Sequence, residues 1–125
     1  MAATQLQPKR PEAAKVLTGA LLRASSILGL KKRELSRVLG LSEASVSRLG
    51  RSRELNLQAK EAELAALFLR AFRSLDALVG GSGSKAAAWF RAPNDHLDGV
   101  PAELVQGAEG LVEVVHYLDA MRGTL

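Results

Sequence analysis

Lys32-Arg33-Glu34-Leu35-Ser36-Arg37-Val38-Leu39-Gly40-Leu41-Ser42-Glu43-Ala44-Ser45-Val46-Ser47-Arg48-Leu49-Gly50-Arg51 decides the fold. It reads as two short helices broken at Gly40, where the turn needs a positive φ that a Cβ would strain. Leu35 and Leu39 face inward from the first helix, and Ser36 is small where the two helices cross. Leu41 plugs the corner, while Val46 and Leu49 pin the second helix. Ser42 is placed to cap that helix with its hydroxyl, and Glu43 suits the positive end of the dipole. This is the pattern of a helix-turn-helix.

With the apolar positions fixed, the outward face follows by geometry. Ser42, Glu43, Ala44, Ser47, Arg48 and Arg51 point toward where a DNA major groove would lie. Arginine can bond guanine bidentately, and serines reach bases or phosphates. Lys31, Lys32, Arg33, Arg37 and Arg53 surround that face and suit phosphate contacts, which fix register without reading sequence. The expected DNA-binding set is Lys32, Arg33, Ser42, Glu43, Ala44, Ser47, Arg48, Arg51 and Arg53. A helical hairpin with no ligand is the plain alternative, and the basic outer face argues against it.

Outward from the hairpin, the periodicity stays helical. Pro11 sits where helices begin, and Val16, Leu17, Ala20, Leu21, Ala24, Ile27 and Leu28 recur at three- and four-residue steps until Gly29. A long helix, about 57–79, carries Leu64, Leu67, Phe68, Ala71, Leu75 and Leu78 on one stripe. Gly80-Gly81-Ser82-Gly83-Ser84 breaks the chain and reads as a flexible linker. Ser84 is then expected to cap a helix at Lys85–Phe90, with Pro93-Asn94-Asp95 halting it. A short turn at Pro101–Val105 precedes a last helix, Ala108 to Met121, with Leu111, Val114, Val115 and Leu118 inside. No strand-like alternation and no repeat at a fixed period is found. The fold class is all-α.

Composition excludes much. The 125 residues suffice for one good core and a small satellite, and 47% hydrophobic with 24% charged residues is ordinary for a folded chain. Without cysteine there is no disulfide, thiolate metal site or cysteine nucleophile. No apolar run approaches the roughly 20 residues of a membrane span, and the N-terminus lacks a secretory pattern, so a cytoplasmic protein with no membrane partner is expected. Residues 1–79 hold 14 Lys/Arg against 7 Asp/Glu, and residues 80–125 hold 3 against 6. A +7 half joined to a −3 half suggests different partners for each.

Three constellations imitate chemistry. Gly81-Ser82-Gly83-Ser84-Lys85 lacks the Gly-Lys-Ser/Thr ending and preceding strand of a phosphate loop. His96 and His116, with Asp95, Asp98 and Asp119 nearby in sequence, offer no convergent metal set, so no metal is expected. No serine stands with a histidine and an acid in a triad pattern. The expectation is a non-enzyme without cofactors.

The second half carries the more specific signature: Trp89-Phe90, Pro93-Asn94, Leu97-Asp98-Gly99-Val100-Pro101, then Glu109-Gly110 opening an amphipathic helix. With the helix-turn-helix, this resembles the antitoxins that pair an Xre-type helix-turn-helix with a C-terminal toxin-binding domain, the Xre/MbcA/ParS group. The likeness runs from about Val16 to Gly123. The sequence departs from the family's habit in reading Leu97-Asp98-Gly99 rather than Gly-Gly after the leucine. It also has Gln106-Gly107 in place of a capping hydroxyl.

What the resemblance implies is concrete. Such antitoxins neutralise a toxin with a RES domain, an ADP-ribosyltransferase-like enzyme that depletes NAD, by covering its active-site entrance with their C-terminal region. They also repress their own operon. Carried over, His116, Asp119, Met121, Arg122, Gly123, Thr124 and Leu125 would face the toxin, whereas Trp89 reads as a core anchor. The expected organisation is a disordered lead-in at 1–10, a helix-turn-helix domain at 11–79 and a toxin-binding domain at 80–125. The partners are operator DNA, the RES-domain toxin and a second copy in a homodimer, within a larger complex when toxin is bound. The rivals are a stand-alone transcriptional regulator with a dimerising or ligand-sensing C-terminal module, and a helical scaffold binding nucleic acid non-specifically.

Overall fold

The computed structural model describes residues 10–123; the expected lead-in before Arg10, and Thr124 and Leu125, lie outside them. Seven helices and no strand are found among the described residues. They are α1 (Arg10–Ile27), α2 (Lys32–Leu39), α3 (Glu43–Arg48), α4 (Lys60–Leu78), α5 (Gly83–Arg91), α6 (Pro101–Leu104) and α7 (Ala108–Gly123). A helix-turn-helix bundle is followed by a small helical C-terminal unit, the all-α class expected. None of these helices is long and apolar enough to cross a membrane.

One helix serves both halves. α4 packs against α1 and α2 on one side and, most extensively, against α7 on the other. Its buried stripe is therefore wider than a single face: Ala62, Ala65, Phe68, Leu69, Ala71, Ser74 and Leu75 are buried, and Leu64, Leu67 and Leu78 only partly. The apolar core runs without interruption from Leu21 through Phe68 to Leu118. Phe90 of α5 meets Phe68 edge-on, with centroids 6.4 Å apart and rings at 80°, the arrangement favoured by opposed ring quadrupoles.

The glycine–serine run is a structured turn rather than a flexible linker. The Gly81 amide donates to Asp76 O at 2.9 Å, and Ser82, not Ser84, caps α5 by accepting from the Lys85 amide at 3.2 Å. α5 thus starts at Gly83, earlier than the sequence suggested, because the serine nearer the turn reaches the free amides first. On α1 the buried line is Ala14, Thr18, Leu21, Ala24 and Ser25, continued by Leu28 just past its end. Val16 and Ile27, expected inward, are 69% and 45% exposed, and Ile27 borders an open groove between α1 and the Leu69–Arg73 stretch of α4.

Thr18 joins two segments at the base of the hairpin. Its hydroxyl donates to Ala14 O (2.7 Å) and accepts from the Leu55 amide (2.9 Å), holding the segment after α3 against α1. At the other end, a Cβ on Gly110 would stand 2.2 Å from the Leu104 carbonyl oxygen. The first turn of α7 can approach α6 that closely only with glycine there. The Glu109-Gly110 pair opening the last helix thereby has a packing cause.

Candidate functional site

The hairpin geometry matches its sequence point by point. Gly40 adopts φ 68 and ψ 31, the left-handed conformation. Leu35, Ser36, Val38, Leu39, Val46 and Leu49 are buried, and Leu41 is half-buried at the corner. Ser42 accepts from the Ser45 amide at 3.1 Å, starting α3 where the free amides would otherwise go unpaired.

Around this scaffold Lys32, Arg33, Ser42, Glu43, Ala44, Arg48 and Arg51 are exposed, and Ser47 is half-buried. Among the described residues, none of Lys32, Arg33, Arg48 and Arg51 enters an ion pair. Arg48 makes only a long bond, 3.4 Å, from Nη2 to the Ser45 hydroxyl. Unpaired cations on a convex helix end are what a polyanion requires, because no carboxylate must be displaced first.

Arg53 departs from that set. Its guanidinium grips the Glu61 carboxylate with both nitrogens, at 2.8 and 2.9 Å, and Nη1 also donates to Glu54 O. Glu61 is buried and additionally accepts from the Asn56 amide at 2.9 Å. The guanidinium holds the Glu61 carboxyl below its ordinary range, against the opposing pull of burial. Arg53 therefore ties the loop after α3 to the start of α4, and the phosphate role read from the sequence does not fit its committed donors.

The C-terminal candidates divide as well. His116, Met121, Arg122 and Gly123 are exposed on α7. Asp119 instead turns toward α4, where it accepts from the Ser74 hydroxyl at 2.9 Å and pairs with Arg70. Its oxygens hold α7 on α4, which corrects its placement on a partner-facing surface. Among the described residues, no group of His, Asp and Glu gathers to hold a metal.

Sequence reasoning missed two features. Trp89 is half-buried, not sunk in the core; its ring stacks on Tyr117 at 6.3 Å and 13°, and His96 stacks on the same tyrosine at 5.8 Å and 28°. The sole signal was the three-residue offset of Tyr117 from Val114, which puts it at the edge of the buried stripe. The other feature is a bridge between the halves. Arg91 at the end of α5 clasps Glu34 of α2 at 2.6 and 2.8 Å and donates to Gly29 O at 2.6 Å. Glu34 also accepts from the Lys31 amide at 2.8 Å, so one carboxylate caps α2 and anchors α5. Arg91 first, then the Lys31 amide, hold its carboxyl down at about 2 against the opposing effect of burial. Arg37 adds a longer contact to Gln106 at 3.3 Å.

The comparisons agree with this arrangement. Residues 7–70 match the antitoxin Xre-like helix-turn-helix domain. Residues 74–123 match the antitoxin Xre/MbcA/ParS C-terminal toxin-binding domain. Neither is an enzyme family. No match is found among curated proteins. The two domain matches abut at the end of α4, the helix that both halves share, and give the chain the role of an antitoxin in a toxin–antitoxin pair. A helix-turn-helix with unpaired cations, set on one core with a toxin-binding unit, belongs to the Xre-like antitoxin family.

Proposed function

We propose that this antitoxin neutralises a RES-domain, NAD-depleting toxin, covers its active-site entrance with the C-terminal region, and represses its own operon through the helix-turn-helix. It acts in the cytoplasm, without a cofactor and without enzymatic activity of its own. The labour divides into DNA binding by residues 11–79 and toxin binding by residues 80–125, with α4 as the shared beam. The observation that carries the reading is the coexistence, on one continuous core, of unpaired Arg48 and Arg51 with a unit matched to toxin-binding domains.

Lys32, Arg33, Ser42, Glu43, Ala44, Ser47, Arg48 and Arg51 form the DNA face. His116, Met121, Arg122 and Gly123, continuing into Thr124 and Leu125, form the toxin face. A homodimer presents two recognition helices to half-sites about one helical turn of DNA apart. Exposed Val16 and Ile27 on α1 supply apolar surface for such pairing.

The test is co-expression with the adjacent gene. The chain should co-purify with a RES-domain product and protect the host's NAD pool, and removing residues 122–125 should weaken protection. A cut at residue 117 is unsuitable, since it strips the buried Leu118 from the core. Full protection by the 122–125 deletion sinks the covering mechanism. Unchanged operator binding by the Arg48→Ala/Arg51→Ala double variant removes the DNA face.

A further inference from the structure

The chain has one tryptophan, one tyrosine and three phenylalanines. Phe68 and Phe90 are buried and Phe72 is half-buried, whereas Trp89 and Tyr117 stack at the surface with exposed His96. Trp89 and Tyr117 pack on the core beside Phe90, Val114 and Leu118 and stay partly exposed. Among the described residues, neither the indole N–H of Trp89 nor the hydroxyl of Tyr117 finds a hydrogen-bond partner. Partly exposed aromatic rings with unengaged polar tips are common anchors of protein interfaces.

The third ring is held there by construction. The loop closes on itself through Asn94 N to Gly99 O (2.8 Å) and Gly99 N to Asn94 O (3.3 Å), and the Leu97 amide donates to Asn94 Oδ1 at 3.0 Å. Asp98 takes φ 52, and no other non-glycine among the described residues has a positive φ. Such a conformation is strained for a residue with a Cβ and persists where surrounding contacts impose it. His96 is thus presented by a rigid, strained turn, which lowers the ordering cost of binding.

We propose that the Trp89–Tyr117–His96 stack is the toxin's main docking platform, a site distinct from the α7 tail that covers the active site. This rests on the antitoxin reading above and names the surface that supplies its affinity. The occupant is a cationic, arginine-bearing face of the toxin. Acidic Asp95 and Asp98 flank His96 in the chain, and Glu113 lies one turn before Tyr117 on α7. A guanidinium can stack on the rings while its donors meet those carboxylates. Met121, one turn beyond Tyr117 and 42% exposed, carries the surface on toward the C-terminus, so platform and tail engage one partner together.

The experiment uses the full chain and the purified product of the adjacent toxin gene, with wild type, His96→Ala, Tyr117→Ala and, on the opposite flank of α7, Val112→Ala. Wild-type binding tests the antitoxin reading; the variants test the platform. His96→Ala and Tyr117→Ala should each weaken toxin affinity at least about tenfold, as hot-spot residues do. Operator affinity and oligomeric mass should stay at wild-type values, and Val112→Ala should change toxin affinity less than twofold. Toxin affinity within twofold of wild type for both ring variants overturns the platform while leaving the antitoxin reading intact. Toxin affinity that falls only together with operator affinity or oligomeric mass also overturns it, assigning the stack to the fold or to a dimer seam. A wild-type chain that binds no adjacent-gene product overturns both readings.

Discussion

The recognition helix and the last helix of this antitoxin are built on opposite plans. α3 is short, held by one serine cap and two buried side chains, Val46 and Leu49, and at its end stand Arg48 and Arg51, which no carboxylate pairs among the described residues. α7 is long, buried along Leu111, Val114, Val115 and Leu118, and its one half-buried carboxylate is spent on α4. A phosphate backbone is a uniform, distant target that rewards free charge. A protein partner rewards shape that is fixed before contact. The sharpest way to break this contrast is Gly110→Ala, whose Cβ would collide with the Leu104 backbone. Forced overpacking against backbone should cost about 3 kcal/mol of folding stability in urea unfolding. Because α7 and α3 share one core, operator binding should weaken along with toxin binding at temperatures near the new melting point.

Arginines 48 and 53 sit five residues apart and sharpen the comparison further. Arg53→Ala leaves buried Glu61 with only the Asn56 amide, so stability should drop by about 2 kcal/mol. The salt dependence of operator binding should stay unchanged. Arg48→Ala should do the reverse, leaving stability within about 0.5 kcal/mol and lowering operator affinity by about 1–3 kcal/mol if it meets a base. A reduced salt slope for Arg53→Ala would return that residue to the DNA face.

The contrast also explains what was legible in the sequence. Leu35, Ser36, Leu39, Gly40, Leu41, Ser42, Val46 and Leu49 announce their positions because each constraint is local: a helical period, a left-handed turn, a cap. The inner face of α7 is legible for the same reason. The two-sided burial of α4 is not, since a wide apolar stripe does not say which helices will cover it. Nor are the commitments of Arg53 and Asp119, whose partners lie 8 and 45 residues away along the chain. A charged side chain in a basic stretch looks free until its acid is placed. Trp89 invited the core reading because alanines surround it, yet it was Phe90, one position on, that the α5 rotation turned inward.

The Glu34–Arg91 bridge is where the two plans meet, and its cost is the smallest to measure. Glu34 is a depressed carboxylate, at about 2 against 4.5 for the free group. A lowered folded-state value means the bridge's stability is fully present above pH about 4.5 and is lost as pH falls through about 2. Arg91 is 39% exposed, so solvent screens the pair and its worth at neutral pH is about 1 kcal/mol. Glu34→Gln should lower stability by that amount at pH 7 and flatten the acid limb of the stability curve. It also removes the charged acceptor that both the Lys31 amide and Arg91 use. If this carboxylate fixes the angle between α2 and α5, toxin should shift operator affinity less in Glu34→Gln than in wild type, because coupling needs a shared element that both sites bias. Equal toxin effects on operator binding in the two proteins would reduce the bridge to a local cap and shift the coupling to the packing of α4, which both halves share.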